Sequence, residues 1–175
     1  MTRAMMHLPI AAMSILLTAQ LGIAQTTTPA LSLADAQRMI AAARQKAIDA
    51  NVLITIAVVD ARGDLIAEEK MPGANPPAAA DIVLGKAAVA AIFGQPSAEV
   101  AIAQFGPNPG CGPIFCDPPP PLFAFLNDLV GGKFRFIRGA LPIVRNNVVI
   151  GAIATGGAGP LDPELSLAAL AAAPK

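Results

Sequence analysis

The run from Ile54 to Phe93 constrains this chain more than any other stretch. It holds two apolar strands around a tight turn at Ala61-Arg62-Gly63, a Pro/Gly loop, and an apolar helix with a single lysine, Lys86. Ile54 to Val59 is β-branched and apolar on both faces, which suits a central strand covered on both sides. Asp60 to Asp64 supplies the turn, with Gly63 available for a positive φ, and Leu65 to Met71 returns as the partner strand. Leu65-Ile66-Ala67 reads as buried, and Glu68, Glu69 and Lys70 as its solvated end. Met71 to Ala78 contains Pro72, Gly73, Pro76 and Pro77 and cannot stay in a sheet. Such a loop, running from a strand end into a helix N-terminus, is a common place for a ligand. The helix over about Ala79 to Phe93 ends at Gly94, a suitable C-cap. Lys86 shares a helical stripe with Ile82, Val89 and Phe93, so its ammonium either snorkels to water or pairs with an anion.

The flanking sequence completes one domain. Met1 to Ala24 has Arg3 and His7 in a short n-region, an apolar run through Ile10 and Leu17, and small residues at Gly22 and Ala24. It reads as a secretory signal peptide (1–24) cut before Gln25, with an uncleaved membrane anchor as the alternative, disfavoured by Ser14, Thr18 and Gln20 within the apolar run. A Thr/Pro linker (25–30) leads to a domain spanning 31–175. Ser32 with Asp35 three residues on marks an N-cap, and Ala36, Ile40, Ala43 and Ala47 recur at helical spacing over Leu33 to Ala50. That stripe of small residues predicts close packing on a sheet. Ser97 and Glu99 open a short third helix after Pro96. Gly106 to Pro121, GPNPGCGPIFCDPPPP, is too rich in Pro and Gly to form an element, and Leu122 to Leu129 suggests a helical turn.

Lys133 to Arg138, KFRFIR, alternates strictly and predicts a half-exposed strand with Phe134 and Phe136 inward. Pro142 to Arg145 and Val148 to Ala154 flank Asn146-Asn147, a two-residue hairpin turn. Gly151 points to a close approach by a helix or ligand. Asp162-Pro163-Glu164 starts a terminal helix with Pro163 at its first position. The predicted fold class is α+β: a single domain with an antiparallel five-stranded sheet, helices packed on its faces, and the order α-β-β-α-α-β-β-β-α.

Composition narrows the chemistry. The 12 Lys and Arg balance the 12 Asp and Glu, so no basic patch argues for nucleic acid. The chain has no Tyr or Trp, and its one histidine, His7, falls in the segment expected to be removed. The exported domain then has no imidazole, which excludes a Ser-His-Asp triad and the usual histidine-bearing zinc sites. Cys111 and Cys116 are expected to close a small disulfide ring, with free thiols as the alternative.

Several strings resemble the GlcG/HbpS family of haem-binding proteins, whose domain is also similar to the C-terminal part of PduO-type adenosyltransferases. They are Ser32-Leu33-Ala34-Asp35-Ala36, IAVVDARGDLIAEEKMPGA, KAAVAAIFGQPS, GALPIV and VVIGAIATGG, in order, over nearly all of the chain after Ala30. The resemblance implies a small exported, periplasmic or secreted homo-oligomer that holds haem or a related tetrapyrrole non-covalently, to sense, store or handle it. It implies no settled enzyme activity and no membrane anchor after signal cleavage. The alternatives are an enzyme processing a small organic acid or corrinoid in the same pocket, or a purely structural oligomer.

A haem site needs an apolar slot, cations for two propionates and usually an axial ligand to iron. Lys86, Met71, Val89, Phe93 and Arg138 are the candidate ligand-binding residues, with Lys86 facing a cleft that receives the ligand's carboxylate. Met71, and Cys111 or Cys116 if unpaired, are the candidate iron ligands. Each has a plainer reading: Met71 as core filler, and Lys133, Arg135 and Arg138 as a solvated strand edge. Asp60 and Asp64 read most simply as hydrogen-bonding the turn backbone. Thr155-Gly156-Gly157 lacks the phosphate-loop pattern.

Overall fold

The structure, a computed structural model, describes residues 30–74, 78–105, 128 and 133–174. The predicted signal peptide, most of the linker, the Gly106 to Pro121 loop with Cys111 and Cys116, and nearly all of the Leu122 to Leu129 turn lie outside the described residues.

The elements are α1 (Leu33–Asp49), β1 (Thr55–Asp60), β2 (Leu65–Lys70), α2 (Ala78–Phe93), α3 (Ser97–Phe105), β3 (Ala140–Arg145), β4 (Val148–Gly156), a 3-10 turn (Gly159–Leu161) and α4 (Asp162–Leu170). They form an antiparallel sheet of four strands, in the order β2-β1-β4-β3. The expected fifth strand is absent, and with it the expected element order: Lys133 to Arg138 joins no ladder. It lies instead across α2, where the Arg135 amide donates to the Gly85 carbonyl at 3.3 Å. The missing side chain of Gly85 makes this possible, since a Cβ there would stand 2.6 Å from both Arg135 Cγ and the Lys133 carbonyl oxygen. The alternation read as a strand thus serves a different partner. Phe134 and Phe136 stack edge-to-face on each other and on Phe93, with centroids 5.9 to 6.3 Å apart.

Local chemistry fixes the two hairpins. Asp60 Oδ1 accepts from the amides of Arg62 (2.8 Å) and Asp64 (3.0 Å), and Gly63 takes φ +81°. Asn146 and Asn147 both hold positive φ, 50° and 60°, as a two-residue turn matched to strand twist requires. Ser32 and Asp35 form a reciprocal capping box at the start of α1.

The sheet is covered on both faces. On one, α1 and α4 bury Ala36, Met39, Ile40, Ala43, Leu165 and Ala169 against Ile56, Val58 and Ile153. On the other, α2 sets Val83, Ala87, Ala90 and Ala91 against Ala57, Val59, Ala152 and Ala154. Alanine on both sides of that interface lets helix and sheet approach closely, so α2 lies wedged between the sheet and the 133–138 segment. β1 is buried along its length, as two-sided cover demands, while edge strand β2 is not. Leu65, expected inside, is 49% exposed, at the start of an edge strand. Gly151 does meet a close neighbour, the β1 backbone at Val59. Among the described residues no helix is long and apolar enough to cross a membrane.

Candidate ligand-binding site

Lys86 points inward. It is 2% exposed, although it projects from the middle of α2, and its ammonium reaches past the end of the sheet toward the opposite layer. Nζ donates to the carbonyl oxygens of Thr155 (2.6 Å) and Arg138 (3.1 Å) and lies 3.4 Å from Asp162 Oδ2 at the start of α4. Two glycines open the way: a Cβ on Gly139 would stand 2.9 Å from Nζ, and one on Gly156 3.3 Å. The counter-ion is itself held, with Asp162 Oδ1 accepting from the Ala158 amide at 3.0 Å. Around it Thr155 Oγ1 donates to the Asp162 carbonyl (2.6 Å), and Ser166 Oγ donates to the Gly139 carbonyl (2.7 Å). Burial pushes the Lys86 ammonium below its ordinary pKa and the Asp162 carboxyl above its own, and their mutual attraction opposes both shifts. Of the two readings of Lys86, snorkelling is excluded. The anion it meets is a side chain of the same chain, and the expected cleft beneath it is filled by protein.

The other residues singled out by sequence do not gather around it. Met71 is buried in the α1-side core, across the sheet from α2, as is Met39. Val89 is wholly buried. Phe93 is 38% exposed and closes the aromatic trio with Phe134 and Phe136. Arg138 meets Lys86 through its backbone carbonyl. Asp60 does what its turn position suggests. Among the described residues no group of three His, Cys, Asp or Glu side chains could hold a metal ion.

A cleft of about 340 Å³ opens on the outer side of α2, lined by Gly63, Asp64, Leu65, Asp81, Leu84, Gly85, Ala88, Lys133 and Arg135. That volume lies within the roughly 300–1,000 Å³ usual for small-molecule sites. One wall is the β1–β2 turn, which rests on α2: a Cβ on Gly63 would lie 3.1 Å from Ala88 Cβ and 3.4 Å from Ile92 Cδ1. The other wall is the 133–138 segment seated on Gly85. Leu84 and Leu65 give the floor its apolar surface, with the nearly buried Ala88 between Leu84 and the exposed Ile92 on the same face of the helix. Lys133 and Arg135 bring two cations to this surface, and Asp64 and Asp81 two carboxylates. The charges of the lining balance, so an acidic group would be met on the Lys133 and Arg135 side of the cleft and repelled on the Asp64 and Asp81 side. The i, i+4 spacing of Leu84, Ala88 and Ile92 was present in the sequence; the crossing of α2 by Lys133 and Arg135, which completes the cleft, was not.

The sequence matches a family described as haem degrading protein HbpS-like over residues 31–171. Among solved structures, protein ORFY of Klebsiella pneumoniae is 28% identical with a TM-score of 0.67, over 85% of this chain and 94% of that one. A double mutant of Streptomyces reticuli HbpS is 25% identical with a TM-score of 0.66, over 95% and 97%. A PduOC–haem complex, 22% identical with a TM-score of 0.64 over 82% and 95%, shares the fold. No curated protein matches the sequence.

Proposed function

Because the chain belongs to the HbpS-like family, whose description is of haem-degrading proteins, we propose that it binds haem, and that the ring lies in the cleft over α2. The observation that carries this reading is the pairing, in one cleft, of apolar surface from Leu84 and Leu65 with two cations, Lys133 and Arg135, on the wall away from Asp64 and Asp81. Apolar surface takes the face of a macrocycle, and cations take its propionates. Lys86 is not part of this site, and the organic-acid reading that relied on it to place a carboxylate loses its anchor. Export to the periplasm or beyond, resting on the n-region and apolar run before Gln25, belongs to the same proposal, as does self-association, which rests on the family resemblance. The protein would then meet haem outside the cytoplasm and hold it non-covalently. Titration of the purified protein with hemin tests the reading: a saturable Soret change, reaching its plateau at a fixed ratio of haem to protein, is expected. Unsaturable, detergent-sensitive absorption would remove the assignment.

A further inference from the structure

Resting on that reading of the cleft, we propose that Asp81, with Asp64 beside it, determines which tetrapyrroles the site accepts: those whose carboxylates are gathered on one edge of the ring, the opposite edge being uncharged. The lining is divided by charge. Lys133 and Arg135 belong to the 133–138 wall, whereas Asp64 comes from the β1–β2 turn and Asp81 from the first turn of α2. The two acids are not equal. Asp64 Oδ2 lies 3.3 Å from Arg62 Nη2, which offsets part of its charge, while Asp81 is exposed and forms no ion pair among the described residues. The internal stretches outside the described residues fall within 75–77 and 106–132, and these contain no lysine, arginine or histidine to neutralise it.

A flat ring with its carboxylates on one edge satisfies both halves of the lining in a single orientation. Its acids turn to the cationic wall, its face lies on Leu84 and Leu65, and its uncharged edge is left toward Asp81. One cation on that wall is enough to fix this orientation, so the selection does not require Arg135, whose Nη1 already donates to the Phe134 carbonyl at 2.9 Å. A ring with carboxylates at both edges has no such pose: whichever edge meets the cations, the other is pressed toward Asp81 and Asp64. In a cleft of about 340 Å³ that second edge stays within the screening length of roughly 8 Å, where like charges still repel. The favoured ligand class is therefore a tetrapyrrole with two carboxylates on one edge, as in haem, over one with four distributed around the ring.

The test titrates the full chain with hemin and, separately, with iron coproporphyrin III, which keeps the metal and the ring but carries propionates in place of the two vinyl groups, at the same pH and salt. Hemin should bind about tenfold tighter. Asp81→Asn then separates repulsion from the loss of apolar substituents: the ratio of the two dissociation constants should fall by about threefold or more, chiefly because the coproporphyrin complex tightens. Asp64→Asn should move the ratio less, since Arg62 already offsets that charge. Both aspartates are exposed, so neither change removes a core contact, and unchanged melting temperatures check this. A wild-type ratio that is equal or inverted, or one that Asp81→Asn leaves unchanged, overturns the proposal while leaving the haem-binding reading intact. Failure of both ligands to bind saturably overturns that reading as well.

Discussion

At the scale of single residues the interaction between Lys86 and Asp162 dominates. A buried pair costs desolvation on both sides, and removing one partner leaves the other charge stranded. Lys86→Met should therefore lower unfolding free energy by about 3–5 kcal/mol, and the Lys86→Met/Asp162→Leu double variant should lose less than the sum of the singles. Urea unfolding of the three variants measures the difference. Additive losses would mean that the carbonyls of Thr155 and Arg138 hold the ammonium and that Asp162 is not coupled to it. Acid pH probes the same pair from the other side. Burial raises the folded-state pKa of Asp162 above its ordinary 3.8. The folded chain thus holds that proton to higher pH than the unfolded chain, and the group's contribution is full below 3.8 and lost as pH rises through the folded value. Wild type should accordingly gain stability relative to Asp162→Asn on acidification through that window; a relative loss would show that attraction to Lys86 outweighs desolvation. The sequence made it plain that a cation inside KAAVAAIF needed a reason. Its partner lies 76 positions away, in another helix and behind two glycines whose role is only to leave room, and no spacing rule reaches that far.

At the scale of elements, whatever is specified locally could be read locally. The Asp60 to Asp64 and Asn146-Asn147 turns, the Ser32 capping box and the small-residue stripe of α1 each depend on neighbours a few positions apart, and each is where the sequence put it. The 133–138 segment went the other way. Its alternation favours an extended chain, but periodicity says nothing about what such a chain lies against. Gly85, in the middle of an apolar helix, was the missed signal, because a glycine there marks an approach closer than alanine allows. Gly85→Ala tests this. Its methyl group would meet Arg135 Cγ and the Lys133 carbonyl at 2.6 Å, and the segment must lift. Overpacking of this kind costs roughly 1–3 kcal/mol, and here it should also weaken hemin binding, because both cleft cations ride on the displaced segment. A variant with a lower melting temperature but unchanged hemin affinity would place the ligand elsewhere.

At the scale of the whole molecule, the proposed site leaves folding and binding to different cations. Lys86 ties the α2 layer to α4 through the end of the sheet, while Lys133 and Arg135 face a cleft on the opposite side of the same helix. The haem-binding reading was accessible from the family strings, but the position of the site was not, because the cleft exists only once the turn at Gly63 and the segment at Gly85 are both seated on α2. This division can be measured. The cleft is open to water, so its attraction for carboxylates is screened by salt, whereas the buried Lys86 pair is not. Raising the salt concentration from about 0.05 to 0.5 M shortens the screening length from more than 10 Å to a few ångströms. The hemin affinity of wild type should fall several-fold over that range, while its unfolding free energy changes little. In Lys133→Glu the fall should shrink or reverse, because one of the two attractive charges has become repulsive, and the melting temperature should stay near that of wild type, since exposed Lys133 anchors no part of the core. Identical salt slopes in the two proteins would detach Lys133 from the ligand and leave the cleft as a groove between helix and turn.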